Sequence, residues 1–467
     1  MTHFSKSIVP IVLSAFMLVA GPARAENEGQ ADLDQATQAR LGAKTVKDLG
    51  RVIELCETAL KKGLDEGNTK FAEMMLSAAL AQRGEKLTRL AIRAAAAGNP
   101  KSAELKKSAL EDLEKAVRLD PNKVQSLVFI AQLNRLPGGN LKRASEALDQ
   151  AIAVEDGEAE HRAQALMLRA AGATDADKKM ADLDEAVRVA PNYLAAVHLR
   201  GLFHAGRGKA EPALADLNKA LELAPKHAPS HEAKALVLAS QKKYDEALVA
   251  LDEALEVLPD SVGLLLKKAA IHSARENFDA ALIDLKRIES IQPDNPGMRM
   301  ARATVYQQTG KLQEAVDDYA AVLAKQPKNW FALRNRADAL LNLGKHKEAI
   351  ADYNKAMKIR SKSAGLLNNL AWVLATSPVD ELRDGRRAVK LATEACKLTD
   401  YKAPHIISTL AAAYAEVGNF SQAVNWAKKG LEVADEKTKE PLQKELDSYQ
   451  QKKPWRELLS PKDSNDK

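Results

Sequence analysis

Apolar positions along the chain come in paired helical stripes separated by short polar breaks. In one stretch Ala233, Leu236 and Val237 share a helical face, Gln241-Lys242-Lys243 interrupts it, and Tyr244, Ala247, Leu248, Leu251, Ala254 and Leu255 resume it. The i, i+3, i+4, i+7 spacing of the second run predicts a helix that stops at Leu258-Pro259, because proline lacks an N–H and restricts the residue before it. Each such stretch therefore reads as two short antiparallel helices.

The unit recurs. Pro191, Pro225, Pro259, Pro293 and Pro327 follow at intervals of 34 residues. On the same beat come Ala213, Ala247, Ala281, Ala315 and Ala349, a second small series at Gly201, Ala235, Ala269, Ala303 and Ala337, and a large series at Leu217, Leu251, Leu285, Tyr319 and Tyr353. Small residues belong where helix backbones approach, and large ones interdigitate beside them. One hairpin has two apolar stripes and cannot bury both alone, so the period predicts a stack of hairpins, a solenoid.

Outside this centre the pattern loosens. About nine units are expected over residues 122–435, the eighth lengthened by the Ser377–Arg387 stretch SPVDELRDGRR, whose Pro, Asp and Gly predict a surface loop. Residues 45–121 read as degenerate helical repeats, 436–455 as a C-terminal capping helix, 26–44 as a flexible lead-in and 456–467 as a disordered tail. Residues 1–25 read as a signal peptide: Lys6 opens it, Ile8–Ala20 is apolar, and Ala23-Arg24-Ala25 is a small-x-small cleavage site. A 13-residue run is short for a membrane span, so no span is expected after cleavage. Export to the periplasm or beyond is the expected localisation.

These residues resemble the tetratricopeptide repeat (TPR) of exported bacterial proteins. The family's small first-helix residue corresponds to Ala235, its turn glycine to Gly310 and Gly344, its second-helix aromatic to Tyr319 and Tyr353, and its closing proline to Pro259. The resemblance implies an all-α, right-handed superhelical solenoid of stacked antiparallel helix pairs. From NNLAWVLATSP to KKPWRE the wording is similar to a C-terminal TPR module of bacterial proteins.

Composition adds exclusions. Charged residues make up 28% and aromatics 4% of the 467 residues, which suits Ala- and Leu-rich helices with solvated outer faces. Acidic and basic residues are interspersed, and the net charge of +6 is concentrated on no segment, so no nucleic-acid partner is expected. Cys56 and Cys396 fall on apolar helical faces far apart and read as buried thiols. His227 and His231 are four apart, but Pro229 between them marks a helix start and no further ligand motif accompanies them. No phosphate loop, nucleophile elbow or dinucleotide fingerprint occurs, so no catalytic residue, cofactor or metal is assigned.

The remaining candidate is the face lined by the first helix of each unit. The carboxylate clamp of chaperone-binding TPRs is met by Arg334 and Asn369 at two places, but Asp338, His405 and Thr409 depart from it. The asparagine ladder of the TPR arm of O-linked N-acetylglucosamine transferase is met by Asn335 and Asn369 on consecutive units, flanked by Arg334 and Asn368. A side-chain amide both donates and accepts, so it can pair with a peptide unit or with the scaffold, and both roles are open. The expected function is a non-enzymatic scaffold holding an extended peptide or partner helix in its groove. The alternative is a structural subunit of a cell-envelope assembly or polysaccharide export machine.

Overall fold

The computed structural model describes residues 27–155 and 157–457, so the segment read as a signal peptide lies outside the described residues. All regular structure among the described residues is helical, and the chain divides into two compact units that meet between Ala224 and Pro225. Each unit is a stack of antiparallel helix pairs.

The first unit runs through α1 (Gln30–Gly42), α2 (Val46–Lys62), α3 (Glu66–Ala96), α4 (Ser102–Leu119), α5 (Val124–Arg135), α6 (Leu141–Ala153), α7 (Ala159–Gly172), α8 (Ala176–Val189), α9 (Leu194–Gly206) and α10 (Ala210–Leu223). The stretch 26–44, expected to be flexible, instead contains α1. Leu33 and Ala36 are buried against α2, and Arg40 Nη1 donates to Gln82 Oε1 at 2.6 Å. Two small contacts and a helix N-terminus seated beside Gly63 are enough, because Gly29 N donates to Gly63 O at 3.0 Å. Within the stretch read as degenerate repeats, α3 runs unbroken through Gly84 for 31 residues. A Cβ at Gly84 would lie 2.6 Å from Leu113 Cγ, so the glycine lets α4 close on α3 rather than ending the helix.

The second unit runs through α11 (Ala228–Ser240), α12 (Tyr244–Val257), α13 (Val262–Ala274), α14 (Phe278–Ile291), α15 (Pro296–Gln308), α16 (Leu312–Lys325), α17 (Trp330–Asn342), α18 (His346–Ile359), α19 (Ala364–Thr376), α20 (Gly385–Leu398), α21 (Pro404–Glu416), α22 (Phe420–Val433) and α23 (Glu436–Gln450). The small-residue registers are its crossings: Ala235, Ala247, Ala281, Ala303, Ala315, Ala337 and Ala349 are buried, as are Tyr319 and Tyr353. Turn glycines Gly310 and Gly344 adopt φ 76 and 74, the left-handed geometry that closes the first helix of a hairpin.

Two C-terminal expectations change. The helix expected over 436–455 ends at Gln450, where Lys452 turns the chain at φ 56. Residues 456 and 457, expected in a disordered tail, are anchored: Arg456 Nη2 lies 2.6 Å from Glu416 Oε2, and Glu457 N donates to Thr376 O at 2.9 Å. The loop after α19 is also held, with Arg383 Nη1 donating to Ser377 O at 2.8 Å and Arg383 Nε to Glu416 Oε1 at 2.9 Å.

A charged device repeats with the hairpins and was not read from the sequence. Arg200 grips Asp216, Arg302 grips Asp318 and Arg336 grips Asp352, each through Nε and Nη2 to the two carboxylate oxygens at 2.6–2.9 Å. Bidentate pairing supplies a buried carboxylate with two donors and its counter-charge together. The signal was present: arginine and aspartate lie 16 residues apart in each copy. At the same spacing Lys268 faces Asp284, but its ammonium goes to Asp252 at 2.6 Å. Asp284 Oδ2 is left buried without a hydrogen-bond partner, and burial raises the pKa of this carboxyl.

Candidate peptide-binding face

Within the second unit α13 touches α15 and α19 touches α21, whereas consecutive second helices make no comparable contact among the described residues. First helices therefore pack on the inner side of the stack, and their outward residues form one face.

On that face the four sequence-named residues come together. Asn335 is 8% exposed, and its Oδ1 accepts from Arg334 Nε at 3.1 Å and Nη2 at 2.8 Å. Asn369, one hairpin on, donates from Nδ2 to Asp338 Oδ1 at 3.0 Å, and its own Oδ1 accepts from Asn368 Nδ2 at 3.3 Å. Arg334 Nε stands 3.8 Å from Asp338 Oδ2, and the Tyr353 hydroxyl donates to Asp338 Oδ1. The two asparagines are thus joined through Asp338 into one network linking α17, α18 and α19.

Asp338 and Tyr353 complete the group; the sequence singled out Asp338 only as a departure from the carboxylate clamp and Tyr353 only as a repeat-register position, neither as a site residue. Tyr353 had a legible sign, since it shares the large-residue register with Tyr319, whose hydroxyl donates to Gln307 Oε1 at 2.9 Å. Burial pushes the Asp338 carboxyl up, opposed by the bonds from Tyr353 and Asn369 and by the Arg334 charge. Burial and then the Asp338 charge push the Tyr353 phenol up, so its proton stays on as a donor.

One polar atom in the network has nothing to bond. Asn368 is 9% exposed, and its Oδ1 is buried without a hydrogen-bond partner. An unmet buried acceptor costs about 1–3 kcal/mol, which is the amount an incoming donor can recover.

At the start of α17 lies an aromatic cluster that sequence reasoning also missed. Phe331 is 43% exposed with the Arg334 guanidinium 4.8 Å from its ring centroid. Trp330 meets Phe331 edge to face at 5.7 Å and carries Arg360 at 4.4 Å over its own ring. Exposed aromatic and arginine surfaces held in fixed rotamers are the side chains that dominate protein interfaces.

The other sequence candidates lead elsewhere. His227 Nδ1 lies 2.7 Å from Ser230 Oγ, and His231 Nε2 lies 2.8 Å from Pro225 O, so each ring has a separate partner. Among the described residues no group of three or more His, Cys, Asp and Glu side chains could hold a metal ion, and no helix is long and apolar enough to cross a membrane. Cys56 and Cys396 are buried free thiols, each pushed up to about 11 chiefly by burial.

Two family models, each described as tetratricopeptide repeat, match residues 238–305 and 300–364, a span that includes α17 and its neighbours. This stretch is built of tetratricopeptide repeats. No curated protein matches the chain. Solved structures similar to it include a tetratricopeptide repeat protein from Parabacteroides merdae, at 18% identity over 62% of this chain and 98% of that one with a TM-score of 0.42. Yeast Tom70 matches at 17% identity over 90% of this chain and 95% of its own with a TM-score of 0.40. YrrB, described as a TPR protein with an unusual peptide-binding site, matches at 20% identity over 40% of this chain and 96% of its own with a TM-score of 0.32.

Proposed function

We propose that the chain is a non-enzymatic scaffold that holds an extended peptide of a protein partner across the first-helix face of α17 and α19. The observation that carries this reading is the unpartnered Oδ1 of Asn368, nine-tenths buried beside Asn369. A backbone N–H of an extended peptide is the donor it lacks. The adjoining network fixes the amides and charges in place beforehand, so little side-chain freedom is lost on binding. Phe331 and Arg334 supply an exposed hydrophobic and cationic contact beside the same track.

The test is Asn368→Ala in the full chain, with peptides selected from a random displayed library on the immobilised wild-type protein. Loss of one uncharged hydrogen bond is worth about 0.5–1.5 kcal/mol, so affinity is expected to fall about 3- to 10-fold. Thermal stability should hold or rise slightly, because an orphaned acceptor is removed. A lower melting temperature with unaltered peptide affinity would show that Asn368 serves the scaffold alone.

We further propose that the scaffold works outside the cytoplasm, after cleavage following Ala25. The support is the apolar run Ile8–Ala20 and the small residues Ala23 and Ala25 around Arg24. Mass spectrometry of the protein recovered from its native envelope fraction is expected to give Glu26 as the first residue. A chain still carrying Met1 there would refute cleavage.

A further inference from the structure

One register position in the first unit departs from the rest of the array. Phe203, Val237, Ile271 and Val305 follow one another at intervals of 34 residues on α9, α11, α13 and α15, and the last three are buried. One interval earlier, near the end of α7, the residue is Arg169. A guanidinium cannot be left in an apolar seam without counter-charges. It turns to carboxylates on either side, donating from Nη2 to Asp182 Oδ1 of α8 at 2.7 Å and from Nη1 to Asp149 Oδ1 of α6 at 2.9 Å. No apolar side chain takes its place, and a groove of about 650 Å³ opens between the α5–α6 and α7–α8 hairpins.

The groove has apolar walls and a basic rim. Leu141, Leu148 and Leu168 line it, and Leu141 is 71% exposed there. Three cations line it as well, Arg135, Arg169 and Lys178, against one carboxylate, Asp182, which Arg169 already holds. Arg135 Nη1 donates to Leu168 O at 2.5 Å, which ties this side chain to the end of α7. Its Nη2 lies beside Gly172, which has no side chain to cover it. Among the described residues neither the Nε and Nη2 edge of Arg135 nor the Lys178 ammonium has a partner. That same edge is the one with which Arg200, Arg302 and Arg336 grip carboxylates elsewhere in the chain. A half-open cavity of this size, mostly apolar with a few fixed polar groups, has the dimensions of a small-molecule site.

We propose that this groove binds a medium-chain fatty-acid anion, its hydrocarbon chain along Leu141, Leu148 and Leu168 and its carboxylate on the free edge of Arg135 and on Lys178. Burial of the chain supplies the attraction, and the two uncommitted cations select the charge of the head group. The site belongs to the first unit and does not depend on the peptide-binding reading of α17 and α19.

Calorimetric titration of the full chain with decanoate, below its micelle concentration, tests this. Saturable binding is expected, and decyltrimethylammonium, which has the same chain and the opposite charge, should bind at least tenfold more weakly. Arg135→Gln combined with Lys178→Gln should weaken decanoate at least tenfold and leave neutral decanol unchanged, because only the head-group bonds are removed. Ser145→Trp, placed at an exposed position of α6 that lines the groove, should abolish binding of both. Circular-dichroism melts show whether it folds, and if it does not, the charge variants decide alone. Absence of decanoate binding overturns the proposal. Binding indifferent to the head group and to the Arg135 and Lys178 substitutions overturns it too, since that is adsorption to apolar surface. A library-selected peptide that Ser145→Trp blocks, with no decanoate bound to the wild type, assigns the groove to a protein partner instead.

Discussion

Arg336→Ala is expected to destabilise the second unit by about 3 kcal/mol, the low end of the 3–5 kcal/mol typical when one member of a buried ion pair is removed. Asp352 is 3% exposed and accepts from Arg336 Nε at 2.6 Å and Nη2 at 2.9 Å. Truncation leaves that carboxylate with only Lys355, whose Nζ is 3.8 Å from Oδ1 and exposed, so the compensation is partial. Replacing both partners by leucine removes the charge problem as well as the bond and is expected to be near neutral or stabilising. Urea melts of the single and double variants check this. A single variant as stable as the wild type would mean that Asp352 reaches water or another cation.

Raising the pH from 5 to 8 is expected to cost the C-terminal end of the second unit about 3 kcal/mol through Glu445 alone. This residue sits on α23, is 7% exposed, and accepts from Ser408 Oγ of α21 at 2.5 Å. Burial pushes its carboxyl from the ordinary 4.5 up to about 7, opposed by the hydrogen bond from Ser408. The folded state therefore holds its proton more tightly than the unfolded chain. The stabilisation is complete below about 4.5 and is lost as pH climbs through about 7. Glu445→Gln keeps a neutral group of the same shape and should flatten this slope. Hydrogen exchange of α23 amides at the two pH values, in both proteins, is the measurement, and an unchanged slope in the variant would place the titration elsewhere.

The central hairpins were legible because their packing is written in residue size. An alanine must stand where two backbones cross, and Ala281, Ala315 and Ala349 are each wholly buried. α1 was illegible for the converse reason: Leu33, Ala36 and Ala39 make a stripe too slight to distinguish from a polar leader. The arginine clamps were overlooked because charged residues were counted as solvated faces, although three of them share the 16-residue spacing and fall on the 34-residue register. At the candidate face the repeat register located Asn335 and Asn369. It could not show that Asp338 joins them, since that depends on how side chains from α17, α18 and α19 converge. The orphaned oxygen of Asn368 is likewise a property of three-dimensional crowding.

Each clamp joins the two helices of one hairpin: Arg200 of α9 to Asp216 of α10, Arg302 of α15 to Asp318 of α16, Arg336 of α17 to Asp352 of α18. A hairpin with such a clamp, unlike the α13–α14 pair, therefore carries its own counter-ion. When such a module is duplicated, deleted or transplanted, no buried carboxylate is stranded at the new junction, so an array of this kind can grow or shrink by whole units without any neighbour having to supply a matching charge.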